Sequence, residues 1–422
     1  MIVNLNFIAS LCIISLPFLL ITGPFLSDLC VIIVDIIFIY LLIKNKDFSI
    51  LKNNFFKFLL LFNLYITLRS FFSEDFFLSF KSAFPYIRFV IFCFAVLYFL
   101  EKKKNLINNF SKSLMLSILI LCFDAIFQYI FGFNTLGFAI DNPDKLNGLF
   151  GSEAVLGSYL VRLLPLTIVS YLILFNHKSN KIPFFIFLLL ISTVIFLSGS
   201  RTSLALMFLF YILYFCLFKN IRKSIFVGFS VLVILLVIAS PFNKKLSHNI
   251  FYNIQDPIRT IFNENEESLR SNVKDKKIII FTQVYHTHYE TAFKMFSKNK
   301  LFGVGNKMYR KLCNEDEYFV NEFSCTTHPH NFYFQVLAEN GLFGFIFLIL
   351  IFFYVTFLIL KEFWLRNIRN KKLSGDYALI ILIGIFINLW PIAPSGNIFN
   401  NWLSILIYLP VGFYLYCVKL KK

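Results

Sequence analysis

Residues 342–360, LFGFIFLILIFFYVTFLIL, run without a single charge, and Lys361 closes them. An α-helix rises about 1.5 Å per residue, so the stretch covers nearly the ~30 Å of a bilayer's hydrocarbon core. Eleven further runs of similar character fall at about 5–23, 29–43, 54–72, 84–100, 113–131, 154–175, 183–198, 202–218, 224–241, 376–394 and 402–418. Together they predict an all-α polytopic membrane protein of about 12 spans. The whole-chain balance agrees: 58% hydrophobic residues, 15% charged and a mean hydropathy of +0.73. Those values exclude a disordered chain, a secreted disulfide scaffold and an ordinary cytosolic enzyme. The 58 Phe come with enriched Ile, Lys and Asn, so coding bias accounts for them as well as an aromatic site would.

Lys and Arg collect on alternate connections: Lys44 to Lys57, Lys102 to Lys104, Lys178 and Lys181, Lys219 to Lys223, Lys361 to Lys372, and Lys419 to Lys422. The positive-inside rule makes these sides cytoplasmic and puts both termini inside. Loops between them, such as 23–28 and 391–401, are almost free of basic residues. The net charge of +17 is therefore largely topogenic, and its scatter in short blocks argues against nucleic acid as a partner. The first run lacks a basic leader and a small-residue cleavage site, which reads as a retained span rather than a signal peptide.

Three regions follow: a nine-span bundle over 1–241, a large extracytoplasmic loop over 242–341 and a three-span bundle over 342–422. No GxxxxGK[ST] or GxGxxG sequence lies in the short cytoplasmic connections, so the substrate must come from the membrane or from outside. The large loop holds five of the six histidines: His248, His286, His288, His328 and His330. Six cysteines (Cys12, Cys30, Cys93, Cys122, Cys216 and Cys417) lie in or beside apolar runs and act as small hydrophobes. Cys313 and Cys325 instead share the loop on the oxidising side, and a disulfide between them would add about 3 kcal/mol in the chain-entropy account.

Four constellations carry candidate chemistry. Pro329 and Gly341 bracket a short helix over about 331–340, which sets His330 at a helix N-terminus. There the dipole disfavours imidazolium and leaves a neutral nitrogen for use as a base, or else His330 is a capping residue at an interface. Arg201, in Ser198-Gly-Ser-Arg201, opens a helix on the outer side, either to meet an anion or to snorkel to headgroups. Arg88, Asp124 and Arg162 lie inside spans at a cost of about 2.5–3.5 kcal/mol each unless paired. Asp124 would pair with Arg88 or Arg162, or the arginines would hold a diphosphate headgroup. Finally, His286-Thr-His288 and His328-Pro-His330 lack zinc spacing, so no metal is expected, and Phe302-Gly-Val-Gly305 is either an anion nest or a plain turn.

The segment His330-Asn331, nine residues, then Gly341-Leu-Phe-Gly344 resembles the H-N-x9-G-x-x-G signature of the O-antigen ligase and polymerase superfamily. Ser-Gly-Ser-Arg201 is similar to its arginine motif, and Lys300-Leu-Phe-Gly-Val-Gly305 to its PLxGxG turn, with Lys300 in place of Pro. The resemblance implies a glycosyltransferase-C-like membrane fold in the bacterial inner membrane with a periplasmic active site. It implies transfer of a glycan from an undecaprenyl-diphosphate carrier to an acceptor hydroxyl, without metal or other cofactor. His330 would be the general base, Arg201 would neutralise the departing diphosphate, and Asn331 would help to bind substrate. Two departures stand out. Ala205 occupies the place of an expected Leu, and Tyr285–Ala292 lacks the loop arginine of the ligases, for which His286, His288, Arg310 or Arg270 would substitute.

An O-antigen ligase acting on lipid A-core is the first reading. An O-antigen polymerase or a protein O-oligosaccharyltransferase shares the same features. A transporter would also explain Arg88, Asp124 and Arg162, but not the missing internal repeat or the histidine-bearing outer loop.

Overall fold

The computed structural model describes residues 4–140, 145–175, 181–219, 222 and 282–420. Within them the chain is helical, with no strand beyond one isolated bridge between Phe133 and Ala139. In order come α1 (Leu5–Thr22), α2 (Pro24–Asn45), α3 (Asn54–Ser70), α4 (Phe76–Ala83), α5 (Ile87–Lys102), α6 (Leu106–Phe131), α7 (Leu156–Phe175), α8 (Lys181–Leu197) and α9 (Arg201–Leu217). After the gap follow α10 (Gln283–Lys298), α11 (Tyr309–Leu312), α12 (Phe332–Asn367), α13 (Asp376–Asn388) and α14 (Asn401–Lys419). Among the described residues seven stretches are long and apolar enough to cross a membrane: α1, α2, α4 with α5, α6, α7, α12 and α14. The protein is a multi-pass membrane protein. The expected span at 224–241, with Arg270 and His248, lies outside the described residues.

Several spans come out shorter than their apolar runs. α3 stops at Ser70, and α13 stops at Asn388 although hydrophobic residues continue to Ala393. The cause at α13 is Pro391, whose ring forbids the helical conformation just upstream. At 13 residues α13 is only about 20 Å long.

The chain forms two compact units. The first comprises Met1–Ile118, Arg162–Ser179 and Thr287–Lys422. Its centre is the contact of α5 with α14, where a Cβ on Gly412 would lie 2.6 Å from the Cys93 carbonyl oxygen, so only glycine lets the two backbones approach. Phe110 and Phe413 meet there with ring centroids 4.5 Å apart. Arg88 donates to both Asp28 oxygens, at 2.8 and 3.2 Å, and to the Pro85 carbonyl at 2.9 Å. Asp28 also accepts from Asn401 at 3.1 Å. The partner expected for Arg88 was Asp124 or a headgroup; the structure supplies Asp28, and Arg88 ties α2 to α5. Buried Arg162 donates to Asn388 Oδ1 at 2.6 Å, joining α7 to the end of α13.

The second unit comprises Leu119–Val161 and Asn180–His286. Asp124 accepts from the Thr135 N–H and hydroxyl at 2.9 and 2.6 Å. Gln128 accepts from the Gly148 N–H at 2.7 Å, and Asn134 donates to the Gly148 carbonyl at 2.8 Å. These buried side chains fold the connection after α6 back onto its own helix. Asp124, expected to meet an arginine, thus closes a loop. Leu146 donates to the Ser198 carbonyl at 3.3 Å, which brings this loop to the α8–α9 turn.

Candidate active site

The turn between α8 and α9 follows from its four residues. Gly199 takes φ +67, a left-handed conformation that glycine adopts without a Cβ penalty. Ser200 then caps α9, its hydroxyl accepting from the Ser203 N–H at 3.3 Å. Arg201 is the first helical residue, half-buried, with free-ended N–H groups of the helix around it. The sequence order glycine, cap, cation therefore sets a guanidinium at the positive end of α9.

The histidine region is built on a lock between two glycine turns in the first unit. Gly341 breaks α12 with φ +61 and ψ −163, leaving a short helix over 332–340 ahead of the long apolar one. Residues 299–305 pack against that break. Val304 donates to Ala338 at 3.0 Å and Gly305 to Glu339 at 2.7 Å, while Leu342 and Phe343 donate back to Lys300 and Leu301 at 2.8 and 3.2 Å. Arg69 at the end of α3 donates to the carbonyls of Phe302 and Gly303 at 3.0 and 2.5 Å, and Tyr65 donates to Asn340 at 2.5 Å. Because the N–H groups of Gly303, Val304 and Gly305 all have carbonyl partners, an anion nest at Phe302–Gly305 is ruled out. The glycines serve close packing instead.

Asn331 caps the short helix by accepting from Tyr333 and Phe334 at 2.9 and 3.3 Å. Its amide donates to Pro391 at 2.7 Å, and the Ser395 N–H donates to the His330 carbonyl at 2.8 Å. Gln335 donates to Asn397 at 3.0 Å and accepts from Ile398 at 3.1 Å, and Tyr333 donates to Leu389 at 2.5 Å. The turn between α13 and α14 is thus fastened to the histidine segment. That fastening holds His330 at φ +55, a left-handed conformation costing about 1–3 kcal/mol for a residue with a Cβ.

Three imidazoles converge. His330 stacks on His288 with centroids 5.3 Å apart and planes at 28°, and His328 lies 4.2 Å from His330. His288 comes from α10, which is held in place by Tyr289 stacked on Phe334 at 4.6 Å and by Tyr309, whose hydroxyl donates to the Ser324 and His288 carbonyls. His328 pairs Nδ1 with the Thr327 hydroxyl at 2.8 Å. The Cys313 and Cys325 sulfurs sit 2.02 Å apart, a disulfide closing the loop beneath these residues. Burial, and next the neighbouring His330, push His288 down to about 4 and His328 down to about 3. Burial alone lowers His330 from its ordinary value. Desolvation, rather than the helix dipole credited from the sequence, keeps these rings neutral near pH 7.

Two cations border the cluster. Lys307, in a left-handed conformation at φ +62, is half-buried and held below the usual lysine range by burial and then by Arg310. Arg310 is exposed and also acts electrostatically on His328. Neither forms an ion pair among the described residues, although the buried Glu339 carboxylate is within electrostatic reach of both. His286 is exposed at the start of α10. No group of three His, Cys, Asp or Glu able to hold a metal ion occurs among the described residues.

Sequence reasoning passed over Arg69, Lys307, Glu339 and the turn at 389–398. Arg69 carried a usable signal, since the expected topology puts it, like Arg201, at an outer span end, where the positive-inside tendency disfavours cations. The pairing of residues 335 and 398 left none.

Residues 186–349 match the sequence model of a family described as O-antigen ligase. No curated protein matches the chain.

Proposed function

We propose, starting from the O-antigen ligase-like domain over residues 186–349, that the protein is a glycosyltransferase of the bacterial inner membrane working on the periplasmic side, with both termini cytoplasmic. It moves a glycan from undecaprenyl diphosphate to an acceptor hydroxyl on lipid A-core. The observation that carries this reading is His330: a neutral imidazole, fixed in a costly backbone conformation between two other neutral imidazoles. Strain held by surrounding hydrogen bonds at a polar residue is characteristic of functional positions.

In the reaction the acceptor oxygen attacks the anomeric carbon and its proton passes to the unprotonated ring nitrogen of His330. The bond from that carbon to the diphosphate oxygen breaks, and undecaprenyl diphosphate leaves with one more negative charge. Arg201, at the start of α9, has the role of neutralising that charge; Arg310 and His288, in the first unit, have the part that a loop arginine plays in ligases. Asn331 keeps His330 in register through its cap. The displaced diphosphate supplies the driving force, so the reaction consumes no nucleotide.

The test is a lipopolysaccharide gel from a ligase-null strain complemented with this gene. Wild type restores the O-antigen ladder, and His330→Ala and Arg201→Ala restore none while the protein still accumulates in the membrane. A normal ladder from either variant overturns the reading. Deletion of the gene from its own host removes all O-antigen for a ligase, whereas single-repeat lipopolysaccharide would mark a polymerase.

A further inference from the structure

The connection between α3 and α5 carries two strongly exposed aromatics. Phe72 is 81% exposed and Phe77 70%. Behind them runs a ladder, Phe71 to Phe76 at 5.0 Å, Phe76 to Phe80 at 5.2 Å and Phe80 to Phe84 at 5.2 Å with planes 5° apart. Each ring rests on the next, so the terrace is rigid and is continuous from the end of α3 to the start of α5.

This terrace adjoins the two cations. A Cβ on Gly305 would fall 2.5 Å from Ser73 Cβ, and Lys311 reaches Glu74 at 3.0 Å and Asp75 at 3.7 Å. Leu78, on α4, packs into the cluster formed by Met308, Tyr309 and Leu312. The turn carrying Lys307 and Arg310 is therefore seated on the segment carrying the phenylalanines. Lys311 reaches both Glu74 and Asp75 and offsets one of the two, so with buried Glu339 the six groups nearly balance; Lys307 and Arg310 are the two cations among them with no ion pair among the described residues. Two such cations beside exposed phenylalanines suit an anionic head with an apolar tail.

We propose that the Phe71–Phe84 terrace seats the first isoprene units of the polyprenyl diphosphate carrier, with Lys307 and Arg310 taking its diphosphate. This rests on the transfer reaction proposed above for the identity of the lipid. Isoprene units are flat, branched and unsaturated, and they lie against stacked aromatic faces with large contact and little entropy cost. The seat holds the head beside the imidazole cluster, since Arg310 acts on His328. Bulk phospholipid and a second copy of the chain are the competing occupants.

The experiment uses full-length protein in phosphatidylethanolamine and phosphatidylglycerol nanodiscs, with the photoreactive amino acid p-benzoylphenylalanine at position 72, 77 or, as a reference on the lipid-exposed face of α12, 353. Irradiation with radiolabelled undecaprenyl diphosphate should label positions 72 and 77 several-fold more than 353. Unlabelled undecaprenyl diphosphate should compete, and undecaprenol, which lacks the head, should not. Lys307→Gln with Arg310→Gln should erase the preference while the background at 353 stays. Equal labelling at all three positions, or competition by phosphatidylglycerol, would assign the terrace to bulk lipid and overturn the proposal. Label appearing between two protein chains would assign it to self-association and overturn it too. Phe72→Ser and Phe77→Ser, both at exposed sites that leave the core intact, should raise the KM for carrier with little change in kcat, and an unchanged KM would also sink it. Labelling needs no acceptor, so a chain that binds carrier but transfers nothing loses only the transfer reading. A chain that transfers without selective labelling loses only the seat.

Discussion

Gly303 and Gly341 stand so close that a Cβ on Gly303 would lie 2.5 Å from the Gly341 nitrogen, and one on Gly341 would lie 2.5 Å from the Gly303 nitrogen. Both have left-handed backbones, at φ +69 and +61. Gly303→Ala or Gly341→Ala therefore meets steric overlap as well as about 1–3 kcal/mol of backbone strain. Each variant should lose protease resistance across residues 299–331 and lose transfer. Wild-type cleavage patterns from both would show that the lock is dispensable.

Arg69 closes the same lock from α3. Arg69→Gln removes donors to two carbonyls, a loss of about 1.5–3 kcal/mol for charge-assisted hydrogen bonds. Its melting temperature in detergent should fall, and Arg69→Lys should recover only part of the loss because one ammonium cannot span both carbonyls. A melting curve matching wild type would remove this role.

Removing the proposed base or the proposed cation should each cost orders of magnitude in rate. His330→Ala should lower the transfer rate about 10²–10⁴-fold, the usual worth of a general base. Arg201→Ala should cost about 10²–10³-fold through lost charge stabilisation. Carrier binding should survive in the histidine variant, and equal loss of binding in both would contradict the separate roles.

The lowered histidine values have a definite pH signature. Unfolded, His288 and His328 bind protons near their ordinary 6.5, but folded they do so only near about 4 and about 3. Their contribution to stability is complete above 6.5 and falls away as pH drops from there toward those folded values. Hydrogen exchange in residues 283–335 should accelerate between pH 6 and pH 4, with the change weaker in His288→Gln and His328→Gln. Transfer should hold steady from pH 7.5 to pH 6, where an exposed histidine base would already have lost activity. A rate halved at pH 6.5 would indicate ordinary, solvated imidazoles.

The bond between Cys313 and Cys325 spans 12 residues and is worth about 3 kcal/mol in the chain-entropy account. Reduction, or Cys325→Ser, should expose the 314–324 segment to protease and lower the thermal midpoint of the outer loop. Indifference to reductant, with both thiols found free by mass spectrometry, would remove that contribution.

What the sequence made legible was local. Apolar length marked most of the helices, Pro329 marked a helix start, Gly341 marked its end, and Gly199-Ser200 marked the turn that starts α9. Each of these is dictated by a few neighbouring residues. The histidines at 288, 328 and 330 were singled out by their concentration, yet their convergence depends on α10 docking against Phe334, 45 positions from Tyr289. The match of Arg88 to Asp28 spans 60 positions and that of Gln335 to Ile398 spans 63, and no periodicity encodes such distances. The Phe302–Gly305 turn showed the opposite failure: a local pattern suggested an anion site, while tertiary contacts had already taken its donors.

The stitching of the 389–398 turn to His330, Asn331 and Gln335 also orders events during synthesis. That turn leaves the ribosome after the histidine segment, and the left-handed backbone of His330 is held by the hydrogen bond from Ser395. A nascent protein arrested before α13 and α14 insert would already carry every motif used to recognise it, and still lack a finished histidine. On the proposed reaction, competence is thereby withheld until residues 389–398 are in place, so copies terminated before them are silent rather than promiscuous.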